Sequence, residues 1–164
     1  MASVAQACGV SKANIYHYHR SKEDLLFDLL SEHLTALSER VISADDPSAN
    51  TEERFRIAVS EILSAYKGAD DHHRIQMQTL NVLALDKQKA LRDIQRELVA
   101  HVSSIIRDFD RDRFGDKTEL RSTTMSVFGM LNWYFMWNTG AGTEARQSYA
   151  ELVSDLVLNG LKPG

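Results

Sequence analysis

The sequence predicts an all-α protein of about seven to eight helices. Apolar residues recur at helical spacing along almost all of the 164 residues, and no segment alternates convincingly between apolar and polar residues. Only two prolines and eight glycines interrupt this pattern. The hydrophobic content of 43% and the charged content of 26% are ordinary for a globular protein. No apolar run approaches the roughly 20 residues that a membrane-spanning helix needs.

The first predicted elements are two short helices, at residues 1–8 and 11–19, joined by a glycine turn. Gly9 stands where the chain must turn, because a left-handed backbone angle costs little only for glycine. Ser11 is the expected cap of the second helix. The side chains expected to face inward where the helices cross are Val4, Ala5, Cys8, Ile15 and Tyr18. This spacing predicts a helix-turn-helix.

Longer helices follow in order along the rest of the chain. They are expected at about residues 22–43, 51–66, 71–84, 87–112, 118–138 and 144–160. Ser21 and Asp24 form a plausible capping box, and Thr51 and Thr143 are expected to cap the helices that they precede. The helix at 118–138 is apolar nearly all round, so we expect it to be buried on more than one side.

Charge divides the chain into a basic beginning and an acidic remainder. The first 22 residues contain three basic side chains and no acid, whereas the other 142 residues carry 16 basic and 23 acidic side chains. This asymmetry predicts that the beginning of the chain meets a polyanion. The residues expected to contact DNA are Ser11, Lys12, Asn14, Tyr16, His17 and Lys22. Their amide and hydroxyl groups suit base edges or phosphate oxygens, and their cations neutralise phosphate.

The stretch GVSKANIYHYHRSKEDLL resembles the second half of the DNA-binding domain of tetracycline-repressor (TetR) family regulators. The matching positions are Ala5, Gly9, Val10, Ser11, Ile15, Tyr16, Ser21, Lys22 and Leu25. His19 departs from the pattern, since the family usually has phenylalanine there. The resemblance implies a DNA-binding head with its connecting helix at 1–43 and a ligand-binding and dimerisation domain at 44–164.

What the resemblance implies for function is a homodimeric transcriptional regulator, most simply a repressor of a palindromic operator. The last two helices of each subunit would form a four-helix bundle, and a ligand in the body would change the spacing of the two heads. Family members usually begin with another helix before the position that corresponds to Met1, so the resemblance also implies that this chain is truncated at its N-terminus. The alternative is therefore a helical dimer that binds a hydrophobic ligand but not DNA.

A second stretch, VFGMLNWYFMWNTGAGTEARQSYAELVSDLVLNGL, is similar to the end of TetR members that sense acyl-coenzyme A thioesters. That resemblance implies an apolar tunnel for an acyl chain and cations at its mouth for the coenzyme phosphates. The tunnel candidates are Tyr66, Met77, Met130, Trp133, Tyr134 and Trp137, and the mouth candidates are Arg74, Lys87 and Arg92. Asn132 is a further candidate for ligand binding. An aromatic and methionine stripe at helical spacing is more often a core or a dimer seam than a ligand site, so that interpretation stays open beside the tunnel. Asn132 needs a hydrogen-bond partner in such a helix.

Three further patterns point to metal or redox chemistry only superficially. Residues 108–119 place acids at five ligand positions of a calcium loop, but Arg113 stands where that loop requires glycine. We expect a salt-bridged helix end there instead. The adjacent His72 and His73 point in different directions on a helix, and Cys8 is expected to be buried and inert.

No nucleophile–base pair, glycine-rich phosphate loop or metal triad appears in the sequence, so we expect neither an enzyme nor a cofactor. The single cysteine fits a reducing compartment, and the first residues lack the pattern of a signal peptide. The sequence therefore predicts a cytoplasmic protein.

Overall fold

The computed structural model describes residues 1–68, residue 75 and residues 82–161. Within these ranges the chain is helical and contains no strand, which confirms the all-α prediction. The helices are α1 (Ala2–Ala7), α2 (Lys12–Tyr18), α3 (Lys22–Ser43), α4 (Thr51–Ala65), α5 (Leu85–Phe109), α6 (Lys117–Trp137) and α7 (Thr143–Leu161). A 3-10 turn at Arg113–Gly115 joins α5 to α6. The helix predicted at 71–84 lies almost entirely outside the described residues.

Serine caps fix the starts of the helices near the beginning of the chain. The Ser11 hydroxyl oxygen accepts a hydrogen bond from the Asn14 backbone N–H at 3.1 Å, which begins α2 as predicted. The Ser21 hydroxyl oxygen accepts from the Asp24 backbone N–H at 3.0 Å, and the same hydroxyl donates to the Asp24 carboxylate at 2.8 Å. These caps satisfy backbone donors that the first helical turn leaves without a partner. The predicted bounds of α3, residues 22–43, are confirmed.

Two predicted threonine caps are wrong by one residue. The cap of α4 is Asn50, whose side-chain oxygen accepts from the Glu53 backbone N–H at 2.9 Å, so Thr51 is the first helical residue. Asparagine is at least as good a cap as threonine, and here it stands three residues before the donor that it reaches. Thr143 is likewise the first residue of α7, and its hydroxyl oxygen accepts from the Lys67 ammonium at 2.7 Å.

The main core lies among α4, α5, α6 and α7. Its fully buried members include Phe55, Ile62, Val102, Ile105, Leu131 and Val153. A second, smaller cluster joins α3 to α5 and consists of Leu30, Leu34, Leu83 and Leu91. Because α3 contributes to both clusters, through Leu37 and Val41 in the first, it is packed firmly against the body along most of its length.

Helix α6 is buried on one face only, so the expectation that it is buried on more than one side is wrong for the single chain. Leu131 and Tyr134 lie in the core, whereas Trp133 is 54% exposed and Trp137 is 59% exposed. The long apolar run therefore reflects one face in the core and a second face that the described part of the chain leaves exposed. None of the described helices, α6 included, is long and apolar enough to cross a membrane.

Candidate functional site

The beginning of the chain forms the predicted helix-turn-helix. Gly9 has a φ of +66°, the left-handed angle expected at the turn, and the Val10 backbone N–H donates to the Ala5 carbonyl at 3.0 Å. Ala5 and Ile15 are buried where α1 and α2 cross. A small residue opposite a branched one lets the two helices approach closely, and this contact orients α2 on the head.

Helix α2 presents a polar and aromatic face to solvent, opposite Ile15. Lys12, Tyr16 and His17 are exposed on that face, and the Lys12 ammonium lies 5.6 Å from the centre of the Tyr16 ring. Asn14 is exposed as well. A seven-residue helix with exposed hydrogen-bonding groups and a cation has the size and chemistry to lie in the major groove of DNA.

Two inward positions of the head were predicted incorrectly. Cys8 is exposed because α1 ends at Ala7, so the cysteine lies in the turn rather than on the helix. Tyr18 is 73% exposed, since α2 packs through Ile15 and Tyr18 falls on the edge of that contact. Together with Val4, Val10 and Leu25 these residues leave a shallow apolar groove of about 220 Å³ on the head.

A polar contact ties the end of α2 to α3. The His19 Nδ1 atom lies 2.9 Å from the Asp28 carboxylate, so the position that departs from the family pattern holds an ion pair or hydrogen bond. Lys22, at the start of α3, is exposed as expected. Arg20, between the two helices, is a further exposed cation, and it was not among the residues predicted to contact DNA.

The body contains a cavity of about 170 Å³. Its described walls come from α3, α5, α6 and the end of α4, and they are formed by Leu34, Leu37, Tyr66, Ile94, Gln95, Leu98, Val99, Met125, Phe128 and Asn132. Seven of these side chains are apolar and three are neutral hydrogen-bonding groups. A mostly apolar cavity with a few polar groups is the usual form of a small-molecule site.

Tyr66 and Asn132, two of the predicted ligand-binding residues, meet in this cavity. The Tyr66 hydroxyl donates to the Asn132 side-chain oxygen at 2.8 Å, which gives the amide the partner that its apolar helix requires. Burial raises the pKa of the Tyr66 hydroxyl well above its ordinary value, so the group is a neutral donor at physiological pH. Their contact with a ligand remains a prediction.

The other tunnel candidates that the structure describes are not part of the cavity wall. Trp133 and Trp137 lie on the exposed face of α6, and Met130 is half-buried against the main core. Tyr134 is buried and stacks on the Tyr149 ring with 4.3 Å between the ring centres. The candidates Arg74 and Met77 lie outside the described residues, as do His72 and His73.

The two described mouth candidates, Lys87 and Arg92, lie toward the head end of α5 and are not among the described residues of the cavity wall. Lys87 forms an ion pair with Asp24 at the start of α3 and lies 3.7 Å from the Glu23 carboxylate. The Glu23 carboxylate also accepts from the Ala84 backbone N–H at 2.7 Å. Arg92 is exposed and donates to the Gln88 side chain at 3.4 Å. Lys87 is therefore part of the junction between head and body.

Most residues of the cavity wall could not be predicted from the sequence as ligand-binding residues. Leu34 and Leu37 belong to the apolar stripe of α3, and nothing in their spacing distinguishes a core face from a cavity wall. The sequence does contain a pattern that could have identified Gln95 as a wall residue. It interrupts the apolar stripe of α5 between Leu91 and Leu98, and a polar side chain at such a position needs a reason.

The acidic segment that follows α5 is a salt-bridged connection. Arg113, which stands where a calcium loop needs glycine, donates to Glu119 at 2.7 Å, and Arg111 donates to Asp108 at 2.9 Å. Among the described residues no cluster of histidine, cysteine or acidic side chains has the arrangement of a metal site.

Comparison with known families gives two matches that together cover most of the chain. Residues 48–161 match the family described as tetracyclin repressor-like, C-terminal domain, and residues 1–29 match the bacterial regulatory proteins of the tetR family. Among curated proteins, the fatty acid metabolism regulator protein of Bacillus subtilis (strain 168) is 27% identical over 109 residues, which are 66% of this chain and 50% of that protein. The chain thus spans about half the length of the curated relative that it matches.

Solved structures show the same architecture. A TetR-family transcriptional regulator from Bordetella parapertussis 12822 is 34% identical with a TM-score of 0.86, and the match covers 95% of this chain and 81% of that chain. AibR, solved in complex with isovaleryl coenzyme A and operator DNA, is 20% identical with a TM-score of 0.78, covering 94% and 84%. The fatty acid degradation regulator FadR from Bacillus halodurans is 17% identical with a TM-score of 0.77, covering 99% and 86%. The last two likenesses show the fold alone.

Proposed function

Since the chain belongs to the TetR family of bacterial regulatory proteins, we propose that it represses transcription from a palindromic operator until a small hydrophobic effector releases it. Its class is that of DNA-binding regulators and not of enzymes. We place its action in the cytoplasm, where bacterial DNA lies.

One observation carries the proposal: α3 is both the base of the head and a wall of the cavity. Lys22 begins this helix beside α2, while Leu34 and Leu37 line the cavity. Twelve residues of helix separate Lys22 from Leu34, a distance of about 18 Å along the axis. A ligand that displaces Leu34 or Leu37 therefore tilts a rigid rod whose other end holds the recognition helix. The effector controls DNA binding if it binds more tightly to the tilted state than to the state that fits the operator.

For DNA recognition we propose the exposed face of α2. Lys12 and Lys22 neutralise phosphates, and Asn14, Tyr16 and His17 reach base edges in the major groove. Ser11 caps α2 through its side chain and approaches the phosphate backbone at the helix start. Two such heads in a symmetric dimer read the two halves of a palindrome.

For dimerisation we propose the uncovered faces of α6 and α7. The exposed large apolar side chains on these helices are Met125, Trp133, Met136, Trp137, Leu152 and Leu156. We call them the α6–α7 stripe. Large apolar side chains exposed on two helices suit an interaction surface, and two copies of a helix pair would form a four-helix bundle. The domain boundary near residue 43 belongs to the same proposal.

For the effector we propose an acyl-coenzyme A thioester. The names of three similar proteins support it: a fatty acid metabolism regulator, a fatty acid degradation regulator and a regulator solved with isovaleryl coenzyme A. In this chain Tyr66 and Asn132 contact the acyl group in the cavity. Of the predicted mouth cations, Arg92 precedes Gln95 by about one helical turn and suits a phosphate of the coenzyme.

The test begins with DNA selected from a random pool by the purified chain. Fluorescence anisotropy of the selected palindrome, measured at several salt concentrations, should show binding that weakens steeply as salt rises, because phosphate contacts release counterions. Acyl-coenzyme A should lower the affinity, whereas free coenzyme A should not. Selection of no sequence, or binding that is indifferent to acyl thioesters, would contradict the proposal.

The alternative function is a helical dimer that binds a hydrophobic ligand but not DNA in this form. It is favoured by the small core of the head, where Ala5 and Ile15 are the buried side chains among residues 1–29. Small domains with little buried surface are marginally stable. The two functions separate in the same titration, because this alternative predicts a ligand-induced rise in Tm without any selected DNA.

A further inference from the structure

We infer that the cavity takes a short, uncharged acyl or aryl group of about six carbon atoms and excludes long-chain fatty acyl groups, an inference that rests on the proposed function and narrows its effector class. Three properties of the described walls carry it, namely volume, absence of charge and the location of the polar groups.

Volume sets the size of the group. The cavity measures about 170 Å³. A protein cavity of about 150 Å³ holds one benzene ring, which has six carbon atoms. A chain of sixteen carbons would need roughly twice that volume or more, on the same scale. Close-packed walls do not expand by that amount without rearrangement, since Leu37, Leu98 and Phe128 are also part of the main core.

The described walls contain no acidic or basic side chain, so a charged group gains no partner there. Tyr66, which lines the cavity, is buried, and the loss of solvent that raises the pKa of its hydroxyl also disfavours an anionic ligand beside it. A free carboxylate is therefore a poor occupant. A thioester, whose charged coenzyme remains outside the cavity, is a good one.

The polar groups give the acyl group its direction. Helices α5 and α6 are joined by the short 110–116 connection and run back past each other, which brings Gln95 level with Asn132. The neutral polar side chains Tyr66, Gln95 and Asn132 are thus near one another, and Val99 and Met125 are about one to two turns away along their helices. The carbonyl oxygen would accept a hydrogen bond from the Gln95 amide, and the hydrocarbon would lie toward Val99.

Isothermal titration calorimetry of the full chain with a series of coenzyme A esters tests the inference. Hexanoyl-coenzyme A should bind at least tenfold more tightly than palmitoyl-coenzyme A and than free coenzyme A. If palmitoyl-coenzyme A binds equally well or better, the size inference is overturned while the proposed effector class survives. If no ester binds, the proposed effector class fails. Small molecules without coenzyme A then test whether the cavity takes a short, uncharged group. Hexanamide should raise Tm where hexanoate does not, and no difference between them overturns the inference.

Variants of the wall provide a second, independent readout. Val99→Phe fills the cavity from a half-buried position and should weaken hexanoyl-coenzyme A binding at least tenfold. Ile57→Phe, at a half-buried position in the separate groove between α4 and α7, is the matched control and should leave binding unchanged. Met125→Ala enlarges the cavity at a half-exposed position and should shift the preference from hexanoyl toward octanoyl esters. Equal effects of the two phenylalanine variants would overturn the assignment of this cavity.

Discussion

At the scale of single residues, Asp45 is a carboxylate of the body that is held by a two-pronged hydrogen bond from Arg54. It lies in the connection between α3 and α4, and the Arg54 guanidinium donates to both of its oxygens, at 2.8 and 2.7 Å. His101 on α5 lies 3.6 Å away. The Arg54 hydrogen bonds hold the pKa of Asp45 below its ordinary value of 3.8, although partial burial opposes this. The ionised Asp45 carboxylate therefore joins the α3–α4 connection to α4 and lies close to α5.

Asp45→Asn should cost roughly 2 kcal/mol of unfolding free energy at neutral pH, a typical value for hydrogen bonds to a charged group. Because the folded pKa lies below the unfolded one, this contribution is present above pH 3.8 and is lost as pH falls below it. Urea midpoints measured from pH 7 to pH 3 should show the wild type and the variant converging. Asp112→Asn, at an exposed aspartate, is the control. A constant difference at all pH values would contradict the ionic account.

Lys12→Gln tests the proposed DNA face at the same scale. The lysine is exposed on α2 and touches only the neighbouring Tyr16 ring among the contacts described, so the fold should tolerate the change. Operator affinity should fall for all sequences alike, and the salt dependence should become shallower by about one unit per subunit. Lys89→Gln removes the same charge from an exposed site on α5 and should have no effect. Equal losses in both variants would show a long-range charge effect and no contact.

At the scale of elements, the junction between α3 and α5 links the head to the body. The Lys87 ammonium on α5 pairs with Asp24 in the first turn of α3, and this hydrogen bond lowers the pKa of the Asp24 carboxyl. Just beyond it the cluster of Leu30, Leu34, Leu83 and Leu91 packs the two helices together. A movement of α5 is therefore transmitted to the beginning of α3 by both charge and packing.

Lys87→Gln should loosen this junction while leaving the core intact. Partly exposed ion pairs contribute little to stability, roughly 0–1 kcal/mol, so Tm should change only slightly. Hydrogen exchange of residues 22–27 should become faster, and the ratio of operator Kd with and without hexanoyl-coenzyme A should fall toward one. Lys89→Gln, two residues along the same helix, serves again as control. Unchanged exchange and an unchanged ratio would remove Lys87 from the coupling.

The sequence predicted helix bounds correctly wherever only one residue type at one position could form the turn or the cap. Gly9 had to turn the chain and Ser21 had to cap α3, so the bounds of α3 were predicted correctly. It failed where two neighbours could serve equally, as with Asn50 and Thr51. It also failed for the cavity, because the apolar spacing of Leu34 and Leu37 is identical for a packed core and for a cavity wall. That difference is decided by volumes contributed from other helices.

At the scale of the whole molecule, the α6–α7 stripe is the surface on which the proposed dimer depends. The helical spacing of Trp133 and Trp137 is compatible with a ligand tunnel and with a dimer seam, so the sequence alone does not distinguish the two. The structure puts both on the outside, with the exposed Leu152 and Leu156 of α7 among the same set of uncovered apolar side chains. Large apolar side chains left exposed on two helices are the kind of surface that a partner covers, and the proposed dimer would bury them.

Leu156→Lys places a charge within this stripe and should convert a dimer into monomers, because an unpaired charge is costly in an apolar interface. Leu85→Lys makes the same change at a leucine of α5 that is 79% exposed and lies outside the stripe, so that variant should remain dimeric. Sedimentation velocity of both variants at equal concentration provides the measurement. Loss of the dimer should also abolish tight binding to the palindrome, since each half-site would then be held by a single head. A dimeric Leu156→Lys protein would place the interface on another surface. A monomeric wild type would contradict dimerisation itself and leave the pairing of heads on DNA without its structural basis.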